Sequence, residues 1–216
     1  MKKNNSVSIS VIKRLPKYFR YLGSIAEKGI VRVSSKELSA ITGLTASQIR
    51  QDLNHYGCFG QQGYGYNVKE LLNELSKILG IDKKYNVIII GFGNIGKALF
   101  KYQGFRNSSY NFTAIFDKDV EMIKEFTDEV EGYDVDYLKE YLQNNKVDIA
   151  ILATPKQVSQ QVADILCEGN IKGIWNFAPE DIKTKNDVVL ENVHLDESLY
   201  TLTYYMNNPK DYISQE

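Results

Sequence analysis

The chain has 216 residues, of which 43% are apolar and 25% charged, so it can form two compact domains and is not wholly disordered. No apolar run approaches the ~20 residues that span a bilayer, and the polar first ten residues lack the apolar segment of a secretion signal. Residues 1–80 hold twelve Lys/Arg and five Asp/Glu (+7), whereas residues 81–216 hold fourteen and twenty-two (−8). We therefore expect a cytoplasmic protein with no membrane partner, whose basic head faces a polyanion unless the asymmetry is that of a solvated surface.

The head opens with a predicted amphipathic helix over residues 11–28, which ends at Gly29. Ser34 with Glu37 then fits a capping box, in which each side chain accepts a hydrogen bond from the other residue's free backbone N–H group. We therefore expect a short helix over residues 37–41.

A second capping box, Thr45 with Gln48, predicts a further helix over residues 46–56, after a turn at Gly43. Two short helices joined by a tight glycine turn are typical of the helix-turn-helix motif, and a small helical dimerisation module is the alternative. The expected buried positions of the pair are Leu38, Ile41, Leu44, Ile49 and Leu53.

The outer face of the second short helix is polar, as a reader of DNA requires. Amide and guanidinium side chains hydrogen-bond base edges in the major groove, and lysines or arginines neutralise phosphates. The candidate DNA-contacting residues of this helix are Ser47, Gln48, Arg50, Gln51, Asn54 and His55. The candidate phosphate contacts include Arg14 on the first helix. Because one such head reads few base pairs, we expect a homodimer bound to a palindromic double-stranded operator.

Residues 57–66 hold four glycines with aromatic residues between them, which predicts a β-hairpin or wing. Gln62 and Tyr64 are its candidate DNA contacts. A helix is predicted over residues 68–79, and the composition changes at residues 80–84, where we place the end of the head.

The body alternates predicted strands with predicted helices. The strands are expected over residues 87–90, 112–116, 147–152 and 173–177. The helices are expected over residues 96–102, 119–126, 136–144 and 156–167, with one more in the tail over 195–206. The first strand is a continuous β-branched run, as in a parallel sheet covered on both faces. The pattern predicts an α/β fold with a doubly wound parallel sheet.

A GxGxxG motif lies directly after the first of these strands and before a helix. In such a motif the first glycine makes a tight turn, the second lets the backbone approach a pyrophosphate, and the third lets the helix pack on the sheet. Its six residues are Gly91, Phe92, Gly93, Asn94, Ile95 and Gly96. Asp117 closes the next strand, where a carboxylate hydrogen-bonds the ribose hydroxyls and repels a 2′-phosphate. NAD(H) is therefore the predicted cofactor, although Lys118 weakens the case against NADP(H) and Asp117 could be a turn residue.

Two loops follow later strands, over residues 153–155 and 176–179, and they carry Thr154 with Pro155, and Asn176. Ligands bind at the carboxyl ends of parallel strands, so these residues could border the cofactor, and ordinary proline turns explain them equally well.

The acid/base groups of a dehydrogenase are not evident, because His55 and His194 are the only histidines and neither lies near the glycine motif in the sequence. We therefore expect a protein that senses the cofactor and is not an enzyme. The alternative is an NAD-dependent oxidoreductase with a helical oligomerisation head. No Cys/His cluster indicates a metal. Cys58 and Cys167 are expected to be buried thiols, and a thiol-based regulator that uses Cys58 is the alternative.

Several segments together resemble the Rex-type redox-sensing transcriptional repressors. They are residues 14–20, 32–38, 49–53 with 56–57, 63–68, the glycine motif at 91–96, and 173–179. The resemblance covers nearly the whole chain and implies a winged-helix domain over 1–80, a Rossmann NAD(H) domain over 81–192, and a C-terminal dimerisation helix over 193–216 that is exchanged between subunits. It implies repression of fermentation and respiration genes while NADH/NAD⁺ is low, and release of DNA when NADH binds as the effector. It also places Arg20 at the head–body junction and Tyr102 near the cofactor, as switch residues.

The chain departs from the family pattern at three places. Gln51 and the pair Gln61-Gln62 stand where basic residues are common, which puts DNA affinity and operator preference in question. His194 stands near the start of the tail helix where a carboxylate is common, so we count it among the switch residues and expect it to make the switch sensitive to pH.

Overall fold

The structure is a computed structural model that describes residues 8–57, 60–61, 64–105, 109–185 and 187–213. The chain divides into two compact units between Lys83 and Lys84, which we call the head and the body. None of the described helices is both long and apolar enough to cross a membrane. Cys58 and Gln62, for which we made predictions, lie outside the described residues.

The described part of the head holds four helices and a small sheet. The helices are α1 (Ile9–Glu27), α2 (Ser35–Thr42), α3 (Ala46–Asn54) and α4 (Val68–Leu79). The strands are β1 (Arg32–Val33), β2 (Gly60–Gln61) and β3 (Gly65–Asn67), and they pair antiparallel in the order β1-β3-β2. Gly43, at φ +71°, ends α2 in the left-handed conformation and allows the tight turn into α3. The predicted helix-turn-helix with a wing is confirmed.

One capping box and one predicted core position differ from expectation. The Ser34–Glu37 box is complete, but at the start of α3 only Thr45 caps, through a hydrogen bond from the Gln48 backbone N–H. The Gln48 side chain turns away to another partner instead. Ile41, predicted to be buried, is exposed, because α2 buries Leu38 and Thr42 one turn apart and Ile41 lies beside that narrow stripe.

The body is a doubly wound α/β unit. Its strands are β4 (Tyr85–Ile90), β5 (Tyr110–Asp117), β6 (Gly132–Asp134), β7 (Ile149–Leu152), β8 (Gly173–Asn176) and β9 (Val189–Asn192). They are all parallel, in the order β6-β5-β4-β7-β8-β9. The strand order reverses between β4 and β7, which is where ligands bind in such sheets. The predicted fold class is confirmed.

Helices cover both faces of this sheet, since alternate residues of β4 belong to different core clusters. Ile88 and Ile90 belong to one cluster, and Val87 and Ile89 to the other. The principal helices of the body are α5 (Asn94–Lys101), α6 (Val120–Phe126), α7 (Leu138–Asn144) and α8 (Lys156–Glu168). Cys167 is buried in this core, as expected.

The two edge strands of the sheet and a short last helix were not predicted from the sequence. Strands β6 and β9 have three and four residues with few apolar side chains, so they lack the pattern of a buried strand. The tail forms α9 (Leu195–Asn207), as predicted, and then a short α10 (Pro209–Ile213). None of the residues of α9 is buried in the single chain. Its role in dimerisation stays a prediction.

Candidate dinucleotide and nucleic-acid sites

The glycine motif forms the turn between β4 and α5. Gly91 has φ +90°, and a Cβ there would lie 2.5 Å from the Ala153 carbonyl oxygen, so the position requires glycine. A Cβ on Gly96 would overlap the Gly91 carbonyl oxygen. Because glycine has no Cβ, α5 can approach the turn closely. No atom of the residues that the structure describes lies within 4 Å of a Cβ placed on Gly93. The turn therefore leaves open space beside Gly93, where a pyrophosphate could meet the free N–H groups at the start of α5.

Asp117 lies beside the same turn, at the carboxyl end of β5. Its Oδ2 accepts a hydrogen bond of 2.6 Å from the Phe92 N–H, and its Oδ1 accepts one of 3.1 Å from the Asp119 N–H. Each carboxylate oxygen can accept more than one hydrogen bond, so Asp117 could still accept from ribose hydroxyls.

A cavity of about 800 Å³ opens at this end of the sheet. Of the predicted cofactor residues, six line it: Gly91, Gly93, Ile95, Asp117, Thr154 and Pro155. Lining residues for which the sequence made no prediction include Asp136, Lys139 and Gln161. Phe177 and Pro179 also line the cavity, and they belong to the loop after β8 that the sequence placed at its border. Asp136 and Lys139 follow the edge strand β6, whose three residues Gly-Tyr-Asp carry no strand pattern in the sequence.

Thr154 supplies an independent indication of a polar ligand. The residue is only 7% exposed, and its Oγ1 has no hydrogen-bond partner among the described residues. A buried hydroxyl without a partner is costly, and a ligand in the cavity could supply one. The open space beside Gly93, the Asp117 carboxylate and this hydroxyl together fit the diphosphate and hydroxyl groups of a dinucleotide.

Two predicted cofactor side chains do not face this cavity. The Phe92 ring is fully buried and packs edge-on against Phe100 and Phe126, so only its backbone is available to a ligand. Asn176 is fully buried and its amide is already used. It donates to the Glu180 carbonyl and to Asn192 Oδ1, both at 2.8 Å, and accepts from the Ala178 N–H. Asn176 thus holds the loop after β8 together and is not placed to contact a ligand.

Tyr102 and Asn94 do not line the cavity either. Tyr102 caps the end of α5, is 59% exposed, and packs edge-on against Phe105 with ring centroids 4.9 Å apart. Asn94 is exposed at the first turn of α5. Within the described residues no group of three His, Cys, Asp or Glu side chains is arranged to hold a metal ion.

In the head, the predicted DNA-facing residues of α3 share one exposed surface. A shallow concavity is lined by Ser47, Arg50, Gln51, Asn54 and His55. Arg50 reaches from this surface to Ser35 on α2, with Nη1 donating to Oγ at 2.8 Å. Since that hydroxyl is an exposed neutral partner, the guanidinium keeps donors for another acceptor.

Arg14 and Gln48 are not among the residues that line this concavity, and both donate to the buried Asp52. Arg14 Nε and Nη2 donate to the two carboxylate oxygens at 2.6 and 2.8 Å, which makes a bidentate ion pair between α1 and α3. Gln48 Nε2 donates to Asp52 Oδ1 at 2.8 Å, and Tyr18 donates to Oδ2 at 2.6 Å. Arg14 therefore holds the head together rather than lying free as a phosphate contact.

Burial raises the pKa of Asp52, but the hydrogen bonds from Arg14, Tyr18 and Gln48 outweigh it and hold the pKa below its usual value. The carboxylate is therefore charged at neutral pH. Burial and the same carboxylate raise the pKa of Tyr18, which stays a neutral donor.

The wing presents Tyr64, which is 69% exposed. The Arg32 guanidinium lies 5.9 Å from the centroid of this ring and donates to the Tyr64 carbonyl oxygen at 3.3 Å. An aromatic ring and a cation thus stand together where the sequence predicted a contact with the DNA backbone. The third aromatic of this segment, Tyr66, is buried in the core of the head.

The remaining switch residues lie apart in the sequence and in different units. Arg20 is exposed on α1, with its guanidinium 5.0 Å from the centroid of the Tyr21 ring. His194 directly precedes α9, and its Nε2 lies 2.9 Å from Asp181 Oδ1. This hydrogen bond to Asp181 raises the pKa of His194 above its ordinary value of 6.5.

Comparisons with known proteins find matches to both the head and the body. Residues 6–54 match a family model described as "Putative DNA-binding protein N-terminus", and residues 82–180 match one described as "CoA binding domain". The chain is 50% identical to the redox-sensing transcriptional repressor Rex of Clostridioides difficile (strain 630), over 96% of this chain and 99% of that protein. It is 53% identical to the repressor of the same name from Caldanaerobacter subterraneus subsp. tengcongensis, over 96% and 92%.

Three solved structures are similar over almost their full length. A crystal structure of RSP in complex with β-NAD⁺ and operator DNA is 49% identical with a TM-score of 0.86, and covers 98% of this chain and 97% of that one. A structure of RSP in complex with β-NADH is 46% identical with a TM-score of 0.86, and covers 99% and 100%. A further structure of RSP is described as a Rex-family repressor, at 47% identity and a TM-score of 0.84. The identity extends through both units, and the chain belongs to the Rex family of redox-sensing transcriptional repressors.

Proposed function

We propose that this chain acts as a homodimeric repressor that binds palindromic operator DNA when NADH/NAD⁺ is low and is released when NADH binds. The observation that carries the proposal is that one chain holds both an open glycine turn beside a cavity with an unpartnered hydroxyl and a basic head with an exposed polar helix face. Relatives bound to β-NAD⁺ with operator DNA and to β-NADH support the two ligands.

In the body, the dinucleotide would lie across the carboxyl ends of β4, β5 and β7. Gly91 and Gly93 would let the pyrophosphate approach the start of α5, and Asp117 would accept from the ribose hydroxyls. The Thr154 hydroxyl would hydrogen-bond a polar group of the ligand, and Ile95 and Pro155 would supply apolar contact.

In the head, α3 would enter the major groove and the wing would contact the phosphate backbone. Arg50, Gln51 and Asn54 would face base edges, with Ser47 and His55 beside them. We place the domain limits at residues 1–80, 81–192 and 193–216, with the last segment, α9 included, as the dimerisation element. Arg20, Tyr102 and His194 are proposed to couple the sites.

The proposed switch requires the cofactor to change how the two heads of a dimer are spaced. A coupling free energy of ~1–3 kcal/mol would change DNA affinity roughly 5- to 150-fold, which is enough to release an operator. The test is DNA binding by the full chain, titrated with NADH against a background of NAD⁺. We expect NADH to weaken binding and NAD⁺ to leave it intact, and an equal effect of both would contradict redox sensing.

Two variants separate the sites. Arg50→Ala should abolish operator binding while NADH affinity is unchanged, and Lys69→Ala on α4 is the matched control for lost positive charge in the head. Asp117→Ala should weaken NADH binding while operator affinity stays normal. If Asp117→Ala lowers the unfolding temperature of the body without changing the affinity of the folded protein for NADH, its carboxylate only supports the Phe92 and Asp119 backbone.

The rival is an NAD-dependent oxidoreductase whose head serves oligomerisation, and we propose that the chain has no such activity. A DNA-binding head predicts a gel shift that weakens steeply with salt, because phosphate contacts release counterions. An oxidoreductase head predicts no shift. A regulator that acts through Cys58 instead would respond to peroxide and not to NADH.

A further inference from the structure

A buried carboxylate connects the first helix of the head to the predicted recognition helix. Asp52 is fully buried on the inner face of α3 and accepts four hydrogen bonds. Three come from α1, two from Arg14 and one from Tyr18, and the fourth comes from Gln48 one turn earlier on α3. The pair Arg14–Asp52 spans 38 residues of sequence, so it fixes tertiary packing rather than local helix structure.

The arrangement fixes the position of Asp52 tightly. A buried charge is tolerated only where partners compensate it, and here a bidentate guanidinium and a hydroxyl do so from a single neighbouring helix. Because the pKa of Asp52 is held below its usual value by these partners, its charge and its hydrogen bonds do not change across the neutral pH range.

Asp52 also decides which end of the Gln48 amide faces inward. An ionised carboxylate can only accept hydrogen bonds, so the Gln48 amide must turn its Nε2 toward Asp52. The Oε1 atom and the second N–H of Nε2 have no hydrogen-bond partner among the described residues. Gln48 lies in the first turn of α3, which is the part of a recognition helix that contacts base edges.

We propose that Asp52 is a positioning residue that fixes the Gln48 amide as a reader of one adenine in each half-site. Adenine presents an N6 donor beside an N7 acceptor in the major groove, and a glutamine matches that pair with its oxygen and one N–H group. Because one N–H group of Gln48 Nε2 donates to Asp52, the Gln48 oxygen and the second N–H group remain available for the adenine. The proposal rests on the proposed function, since it requires α3 to lie in the major groove.

The experiment measures base preference with the full-length chain. A palindromic operator is varied in both half-sites, one position at a time, and the dissociation constant for each of the four bases is measured by fluorescence anisotropy. At one position the wild type should prefer adenine by roughly 5- to 150-fold. If the wild type shows no sequence preference at any position, the proposed function itself fails. If preferences exist but none of them depends on Gln48, only this inference fails.

Two variants of Gln48 test the reader. Gln48→Met keeps the length of the side chain and removes the amide, so discrimination should vanish at the one position and persist at the others. Gln48→Glu leaves only acceptors and is repelled by Asp52, so preference at that position should move from adenine to cytosine, whose N4 is a donor. Gln51→Met, on the same helix but without a contact to Asp52, is the matched control and should leave that position unchanged.

Two variants test the positioning role of Asp52. Asp52→Asn can both donate and accept, so the Gln48 amide would be free to flip and the adenine preference should relax although Gln48 is intact. Because this change could unfold the head, the triple variant Arg14→Met, Tyr18→Phe, Asp52→Leu replaces the whole polar network with apolar side chains. Circular dichroism verifies the fold. If Asp52→Asn or the triple variant folds and keeps the full preference for adenine, Asp52 has no positioning role. If Gln48→Met keeps the full preference, Gln48 does not contact the adenine.

Discussion

In the body the turn at the candidate ligand site is shaped by backbone, whereas in the head the candidate site is built by side chains. The three glycines of the turn matter because they have no Cβ. A Cβ on Gly91 or Gly96 would collide with backbone, and one on Gly93 would fill the open space. On α3, by contrast, the face offered to DNA depends on which polar side chains are already bound inside the head. Arg14 is bound there by two N–H groups and Gln48 by one, which leaves the Gln48 oxygen and its second N–H group available, and Arg50 keeps donors free.

Because of this contrast, we expect different substitutions to damage the two sites. A backbone site fails when a side chain is added at the turn, and a side-chain site fails when an internal partner is removed. The following predictions are ordered from the largest expected effect to the smallest.

Removal of the internal partner of Asp52 should cause the largest loss. Arg14→Ala leaves a buried charge without its cation, which costs about 3–5 kcal/mol of unfolding free energy in the head. Chemical denaturation followed by circular dichroism measures it. Lys13→Ala, on an exposed neighbour in α1, is the control and should change little. If Arg14→Ala leaves stability intact and only lowers DNA affinity and its salt dependence, Arg14 is a phosphate contact after all.

Addition of a side chain at the glycine turn should cost slightly less. Gly91→Ala forces an L-residue to φ +90° and places its Cβ 2.5 Å from the Ala153 carbonyl oxygen, which together cost about 2–5 kcal/mol. Thermal unfolding of the body should show it. Gly93→Ala meets no atom and should unfold normally, yet bind NADH more weakly in a calorimetric titration. Normal NADH binding by Gly93→Ala would mean that the pyrophosphate does not approach there.

Variants of Asn176 and Thr154 should distinguish an amide that stabilises the fold from a hydroxyl that faces the ligand. Asn176→Ala leaves the Glu180 carbonyl and the Ala178 N–H without their partner, at a cost of about 1–3 kcal/mol. Thr154→Val removes a hydroxyl that has no hydrogen-bond partner within the described part of the chain, so stability should hold while NADH affinity falls. Paired thermal melts and NADH titrations measure both. The opposite outcome for the two variants would reverse their assigned roles.

The smallest effect concerns the start of the tail helix. The pKa of His194 is raised above 6.5 by Asp181, so the stabilisation from this pair is fully present below pH 6.5 and is lost as the pH rises through the higher folded pKa. NMR titration of the His194 ring should show that raised pKa, and Asp181→Asn should lower it toward 6.5. A His194 pKa that does not change in Asp181→Asn would show that the pair does not form in solution.

Much of the fold could be predicted because its signals are local. The capping box at Ser34, the left-handed glycine at Gly43 and the branched run of β4 each depend on residues close in sequence. The two edge strands could not be predicted, because short polar strands are held by pairing with a neighbour rather than by their own pattern.

The candidate sites divide in the same way. By itself the sequence determined the glycine turn, the carboxylate at Asp117 and the polar face of α3, since a fixed spacing along one strand or helix places each of them. Only the tertiary structure decided that Asn176 and Phe92 face inward and that Arg14 and Gln48 bind Asp52. The physical reason is that a polar side chain takes whichever partner folding brings within hydrogen-bond distance, and that partner can lie 38 residues away.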